Sequence, residues 1–159
     1  MKTRIFAGIS ALMMLASCAG NKPATEPQSE PAAEPVANVD MVGQWFIENI
    51  VLSDSVSVRP AEVTPDAQQY AVFTDTTYSF ITNCNTIFGA YTLSGDSITL
   101  DAGGMTRMMC DNTAAEDALI QIIPGIATVD LENDTIARLN GSNAAQYIVL
   151  RKNTGEEIK

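Results

Sequence analysis

The chain has 159 residues, with 9 Lys plus Arg against 19 Asp plus Glu, a formal charge of −10 and no histidine. Nothing basic is clustered, so nucleic acid is excluded as an expected partner, and anionic lipid headgroups should repel the folded part. Without histidine the chain lacks the usual neutral-pH proton shuttle and the commonest metal ligand, which removes Ser-His-Asp, Cys-His and His-based zinc chemistry together.

Lys2 and Arg4 give a basic start, and Ile5 to Ala16 is almost wholly apolar. This is the layout of a secretory signal peptide, and the apolar core falls short of the roughly 20 residues a spanning helix needs. Small residues directly before the cysteine in Leu15-Ala16-Ser17-Cys18 resemble the lipobox of bacterial lipoproteins. That resemblance implies a signal over 1–17, acylation of Cys18 as the first mature residue, and attachment to a membrane by lipid. The alternative is an ordinary signal with an incidental Cys18. Loss of Lys2 and Arg4 would take Lys plus Arg from 9 to 7 against an unchanged 19, and the charge from −10 to −12. Ala19 stands where lipoproteins kept in the inner membrane commonly carry aspartate, so the resemblance implies the outer membrane.

Residues 18–38 follow as a tether. Prolines at 23, 27, 31 and 35 and three Glu-Pro steps hold the backbone extended, and no large apolar side chain precedes Val36. In polyproline II form, at about 3.1 Å per residue, such a segment reaches roughly 60 Å.

Residues 39–152 have the length and apolar content of one small domain, with a polar tail over 153–159. Short runs rich in β-branched and aromatic residues predict strands near 43–51, 70–74, 77–82, 88–93, 97–101, 104–108, 126–132, 134–139 and 145–151. The clearest hairpin turns at Ser94-Gly95-Asp96, and its alternation places Tyr91, Leu93, Ile98 and Leu100 inward. A second turn is predicted at Glu132-Asn133-Asp134. Arg138 then interrupts the alternation expected from Ile136, which suggests an exposed edge rather than a ligand contact.

One helix is predicted over 113–123. Thr113 and Glu116 have the spacing of a capping box, and Ala115, Ala118, Leu119, Ile122 and Ile123 recur at helical intervals until Pro124-Gly125 ends the pattern. A single apolar stripe must be buried against a sheet or plug a barrel end. The fold class is therefore mostly β (α+β): a compact antiparallel sheet or small barrel with one amphipathic helix packed on it. With Cys18 assigned to lipid, Cys84 and Cys110 remain as a pair. In an oxidising compartment they form one disulfide, the rival being two buried free thiols on neighbouring strands.

Asn83-Cys84-Asn85, Phe88-Gly89-Ala90-Tyr91, Met105-Thr106-Arg107-Met108-Met109-Cys110 and the helix that follows resemble the META domain of HslJ-like bacterial envelope lipoproteins. Trp45 fits the same pattern, and the likeness runs over 43–151. Where that family often has Gly before the first cysteine and Arg-Phe after its Asn, this chain has Asn83 and Thr86-Ile87. It also has Arg138 where the family usually alternates apolar residues. The resemblance implies a β-fold with a helix, attachment in the cell envelope, association with heat or antibiotic stress, and no catalytic residues.

No cofactor or metal is expected. Met105, Met108, Met109 and Cys110 include soft Cu(I) ligands, yet on a strand the three methionines would not converge, and core filling is the expected use. Asp75 with Asp101, or Asp96 with Asp134, could be imagined as acid–base pairs, yet Asp96 and Asp134 fit turns, and Asp130, Glu132 and Asp134 lack the pattern of a calcium loop. Asn83, Asn85, Thr106 and Arg107 form the polar set tied to the motif, a binding set if Arg107 is exposed and a structural one otherwise. The expected protein is monomeric and non-enzymatic. Its expected partner is an unknown envelope protein or, alternatively, a small apolar ligand held inside the β-fold.

Overall fold

The structure, a computed structural model, describes residues 39–155. The signal segment, Cys18, the tether and residues 156–159 lie outside the described residues.

Ten strands and two helices are present among the described residues: β1 (Gly43–Ser53), β2 (Val56–Val58), α1 (Pro60–Val63), β3 (Tyr70–Phe73), β4 (Thr77–Ile81), β5 (Thr86–Ser94), β6 (Ser97–Leu100), β7 (Gly104–Met105), α2 (Ala114–Ile122), β8 (Ile126–Glu132), β9 (Ile136–Gly141) and β10 (Tyr147–Lys152). Antiparallel pairing runs β10-β9-β8-β6-β5-β4-β3-β1, and a further β1–β10 pairing closes eight of these strands into a barrel. β1 is long enough to serve three neighbours. Its first half pairs with β3, its length from Trp45 to Val51 pairs with β10 past a register shift near Glu48, and its end pairs with β2. Closure leaves the eight barrel strands no open edge.

The inward face follows the two-residue period of a strand. Trp45, Phe73, Tyr78, Phe80, Ile98, Leu139, Ile148 and Leu150 are each at most 1% exposed and belong to one core. Phe73 meets Phe80 and Tyr91 edge-on, with ring centroids 6.2 and 5.3 Å apart, a favoured aromatic arrangement. Trp45 Nε1 donates to the Met41 carbonyl at 2.8 Å, so its one polar atom is satisfied in the interior. In the β5–β6 hairpin Tyr91, Ile98 and Leu100 are buried and Leu93 packs against the core, as the alternation predicts. Gly95 turns it with φ +64°.

Arg138 corrects the sequence expectation. It lies on no edge, because β9 pairs on both sides, setting Arg138 opposite Asp130 of β8 and Val149 of β10. Glu132 pairs with Ile136 across a three-residue loop in which Asn133 and Asp134 take positive φ. That loop makes Ala137 and Leu139 the inward residues, and a slip of one residue exchanges the two faces of a strand. Arg138 therefore alternates outward normally, its guanidinium 3.8 Å from the Tyr147 ring centroid.

The helix α2 buries the predicted stripe of Ala115, Ala118, Leu119 and Ile122, and Ile123 continues it into a 3-10 turn over Ile123–Gly125. These side chains share the core of the inward strand residues. The interior of a closed barrel is reached through its ends, so α2 plugs one of them. The expected capping box does not form. Thr113 makes no side-chain cap bond and its hydroxyl donates to Asp117 Oδ2, while Asn112 Oδ1 accepts the Ala114 N–H at 3.1 Å. Glu116 is buried instead, at 5% exposure. Neither β2 nor the single turn α1, started by Pro60 at its first position, is predicted from the sequence pattern.

Candidate functional site

The residues that carry the sequence motif come together at the plugged end. Thr82 shapes the first part: its hydroxyl oxygen accepts the Cys84 and Asn85 N–H groups at 3.1 and 2.9 Å and its O–H donates to the Asn85 carbonyl at 2.8 Å. A hydroxyl that satisfies three local backbone groups stabilises a tight turn without a strand ladder. The turn sends Cys84 toward Cys110, to which it is bonded with Cα atoms 6.0 Å apart. It also drives Asn85 into the interior, at 3% exposure.

Asn85 is the hub. Its Oδ1 accepts the Met108 N–H at 2.7 Å and the Thr106 hydroxyl at 2.9 Å, and its Nδ2 donates to the Met108 carbonyl and to Glu116 Oε1, each at 3.2 Å. Thr106 Oγ1 in turn accepts the Thr86 N–H at 3.0 Å. Asn83 Nδ2 donates to the Asn112 carbonyl at 2.8 Å, and Asn112 Nδ2 to the Val63 carbonyl at 2.8 Å, which ties α1, the motif and the start of α2. Asn83, Asn85 and Thr106 thus fasten backbone to backbone.

This fastening overturns the predicted strand over 104–108. Pairing with β5 ends at Met105, opposite Ile87, with a last bond from the Thr106 N–H to the Thr86 carbonyl, because the backbone from Met108 on is held by the Asn85 side chain and the disulfide. Core filling by the methionines is likewise overturned in part. Met105 packs against the core, but Met108 and Met109 are 62% and 101% exposed. The sequence reading also missed Glu116, Thr82 and Asn112 as partners of the motif. Asn directly before a helical stripe was the available signal for Asn112, since Asn is a preferred cap. Nothing local signals that Glu116 turns inward.

Arg107, the remaining motif residue, is exposed and lines a groove of about 340 Å³ with Tyr78, Gly103, Ile120 and Pro124. The groove floor depends on close backbone approach. A Cβ on Gly103 would stand 1.8 Å from the Phe88 carbonyl oxygen, and one on Gly89 2.4 Å from that of Asp101. Tyr78 donates its O–H to the Asp101 carbonyl at 2.9 Å, and burial, with the Asp101 charge adding, raises its pKa. Among the described residues no three His, Cys, Asp or Glu side chains gather as a metal centre requires. No helix among them is long and apolar enough to cross a membrane.

The META domain family profile matches residues 40–154. A structure determined by NMR of a protein from Burkholderia xenovorans is similar, with a TM-score of 0.60 and 17% identity over 81% of this chain and 97% of that one. A crystal structure of a DUF4847 family protein from Bacteroides vulgatus gives a TM-score of 0.49 and 11% identity, over 70% and 92% of the two chains. No protein of curated function matches the sequence.

Proposed function

The chain belongs to the META domain family, and on that premise we propose that it is a non-enzymatic lipoprotein module, which docks an envelope protein through the loop from Thr106 to Cys110. One observation carries this reading: Met108 and Met109 stand exposed on a loop whose backbone is held by Asn85 and by the Cys84–Cys110 bond. Exposed apolar side chains gain nothing for folding, while a preorganised loop loses little entropy on binding. Methionine suits such a surface because its flexible, polarizable thioether adapts to a partner. Arg107 within the loop adds a planar donor fork for a carboxylate or a backbone carbonyl. The carrier reading is less favoured, because aromatic side chains occupy the interior a ligand would need.

A photo-crosslinking residue at Met109 in intact cells tests the docking surface. The expected result is a reproducible protein adduct from position 109 and none from the exposed outer position Thr92. Equal labelling from both positions, or none from 109, counts against the reading.

In this proposal acylated Cys18 holds the domain at the outer membrane, and the Pro-rich tether spaces it from the bilayer. Its role there is in envelope stress or antibiotic tolerance. Cys18→Ser is expected to move the protein from the membrane to the soluble fraction. Unchanged sedimentation with membranes would remove the anchor from the account.

A further inference from the structure

We propose that Met108 and Met109 form a reversible oxidation site for peroxides, which turns an apolar loop tip polar without unfolding the domain. The described residues hold four methionines in sharply different settings. Met41 is 1% exposed and accepts the Trp45 indole N–H on its carbonyl, and Met105 packs against the core, whereas Met108 and Met109 are 62% and 101% exposed. The two cysteines beside the loop are already joined, so no free thiolate there competes for the oxidant.

In the reaction, a lone pair of the thioether sulfur attacks one peroxide oxygen. The O–O bond breaks, an S–O bond forms, and the second oxygen leaves as water after taking up the proton. Sulfur loses two electrons and the peroxide gains them. A methionine sulfoxide reductase returns the thioether at the expense of a dithiol, which becomes a disulfide, with release of water.

The loop tolerates this change because its conformation does not depend on either methionine side chain. The Met108 N–H and carbonyl are both held by Asn85, Thr106 Oγ1 by Asn85 and Thr86, and Cys110 by Cys84. A sulfoxide on Met41 would instead place a polar oxygen in a filled core, at a cost that favours unfolding. The consequence for docking rests on the reading proposed above: a polar tip binds an apolar partner surface less well.

Graded hydrogen peroxide treatment of the purified full-length protein, followed by peptide mass spectrometry, tests the site. Met108 and Met109 are expected to gain oxygen about tenfold or more ahead of Met41, with an unchanged thermal midpoint, and reductase treatment restores the starting mass. The oxidised protein should also elute earlier from a phenyl matrix, a readout that needs no partner. Met108→Leu with Met109→Leu is expected to abolish the early oxygen uptake and keep the midpoint. Oxidation of Met41 in step with Met109, loss of cooperative unfolding at the first oxygen, or unchanged phenyl retention overturns the proposal. If oxidation follows the expected order while crosslinking from position 109 fails, the oxidation site stands and the docking reading falls.

Discussion

Replacing Cys84 and Cys110 together by alanine is expected to lower the unfolding free energy by about 3.5 kcal/mol. The bond joins positions 26 apart, and closing a loop of that size removes roughly this much conformational freedom from the unfolded chain. A domain of this size has a stability of about 5–15 kcal/mol, so the loss is a large fraction of it. The folded state changes less. Met108 keeps both of its bonds to Asn85, and β7 keeps its pairing with β5, so the loop should stay near its place while its far end at Cys110 loosens. Urea unfolding of the double variant against the oxidised wild type measures the effect. A difference below about 1 kcal/mol would show that the unfolded chain is already constrained there, contrary to the loop-closure account.

Asn85→Ala is expected to cost about 4 kcal/mol, because it strands several groups at once. The Met108 N–H and carbonyl and the Thr106 hydroxyl all lose their Asn85 partner, and so does Glu116 Oε1. The last loss weighs most. Glu116 Oε2 already has no hydrogen-bond partner among the described residues, so the substitution leaves a buried carboxyl group without one on either oxygen. A double-mutant cycle separates this contribution. Glu116→Ala should cost distinctly less in the Asn85→Ala background than in the wild type, with a coupling of about 1 kcal/mol or more. Strict additivity would mean that the two side chains do not depend on each other, and the hub would then be misassigned.

Much of the barrel was legible because alternation in strands is a local pattern. The alternation of their own hairpin turns Tyr91, Ile98 and Leu100 inward, and helical spacing puts the buried stripe from Ala115 to Ile123 on one helix face. The failures have a common cause. Thr113 with Glu116 has the spacing of a cap, yet burial beside Asn85 outweighs a bond at a solvent-exposed helix end. Thr106 to Cys110 has the composition of a strand, yet the Asn85 side chain, 23 positions before Met108, takes over the Met108 backbone. Arg138 escapes a local reading because a three-residue loop, rather than its own neighbours, sets which face of β9 turns inward.

By itself the sequence determined the β class, the helix α2 and its buried stripe, the hairpin turns, and the cysteine pair available for a bond. These rest on periodicity, turn chemistry and counting, all of which act over a few residues or over composition. Only the tertiary structure decided that β1 meets β10 to close the barrel, and that Glu116 points inward to Asn85. It alone decided that the loop after Met105 leaves the sheet with two methionines facing solvent. Each of these depends on contacts between distant residues, where the burial of a side chain is set by what the rest of the fold brings against it.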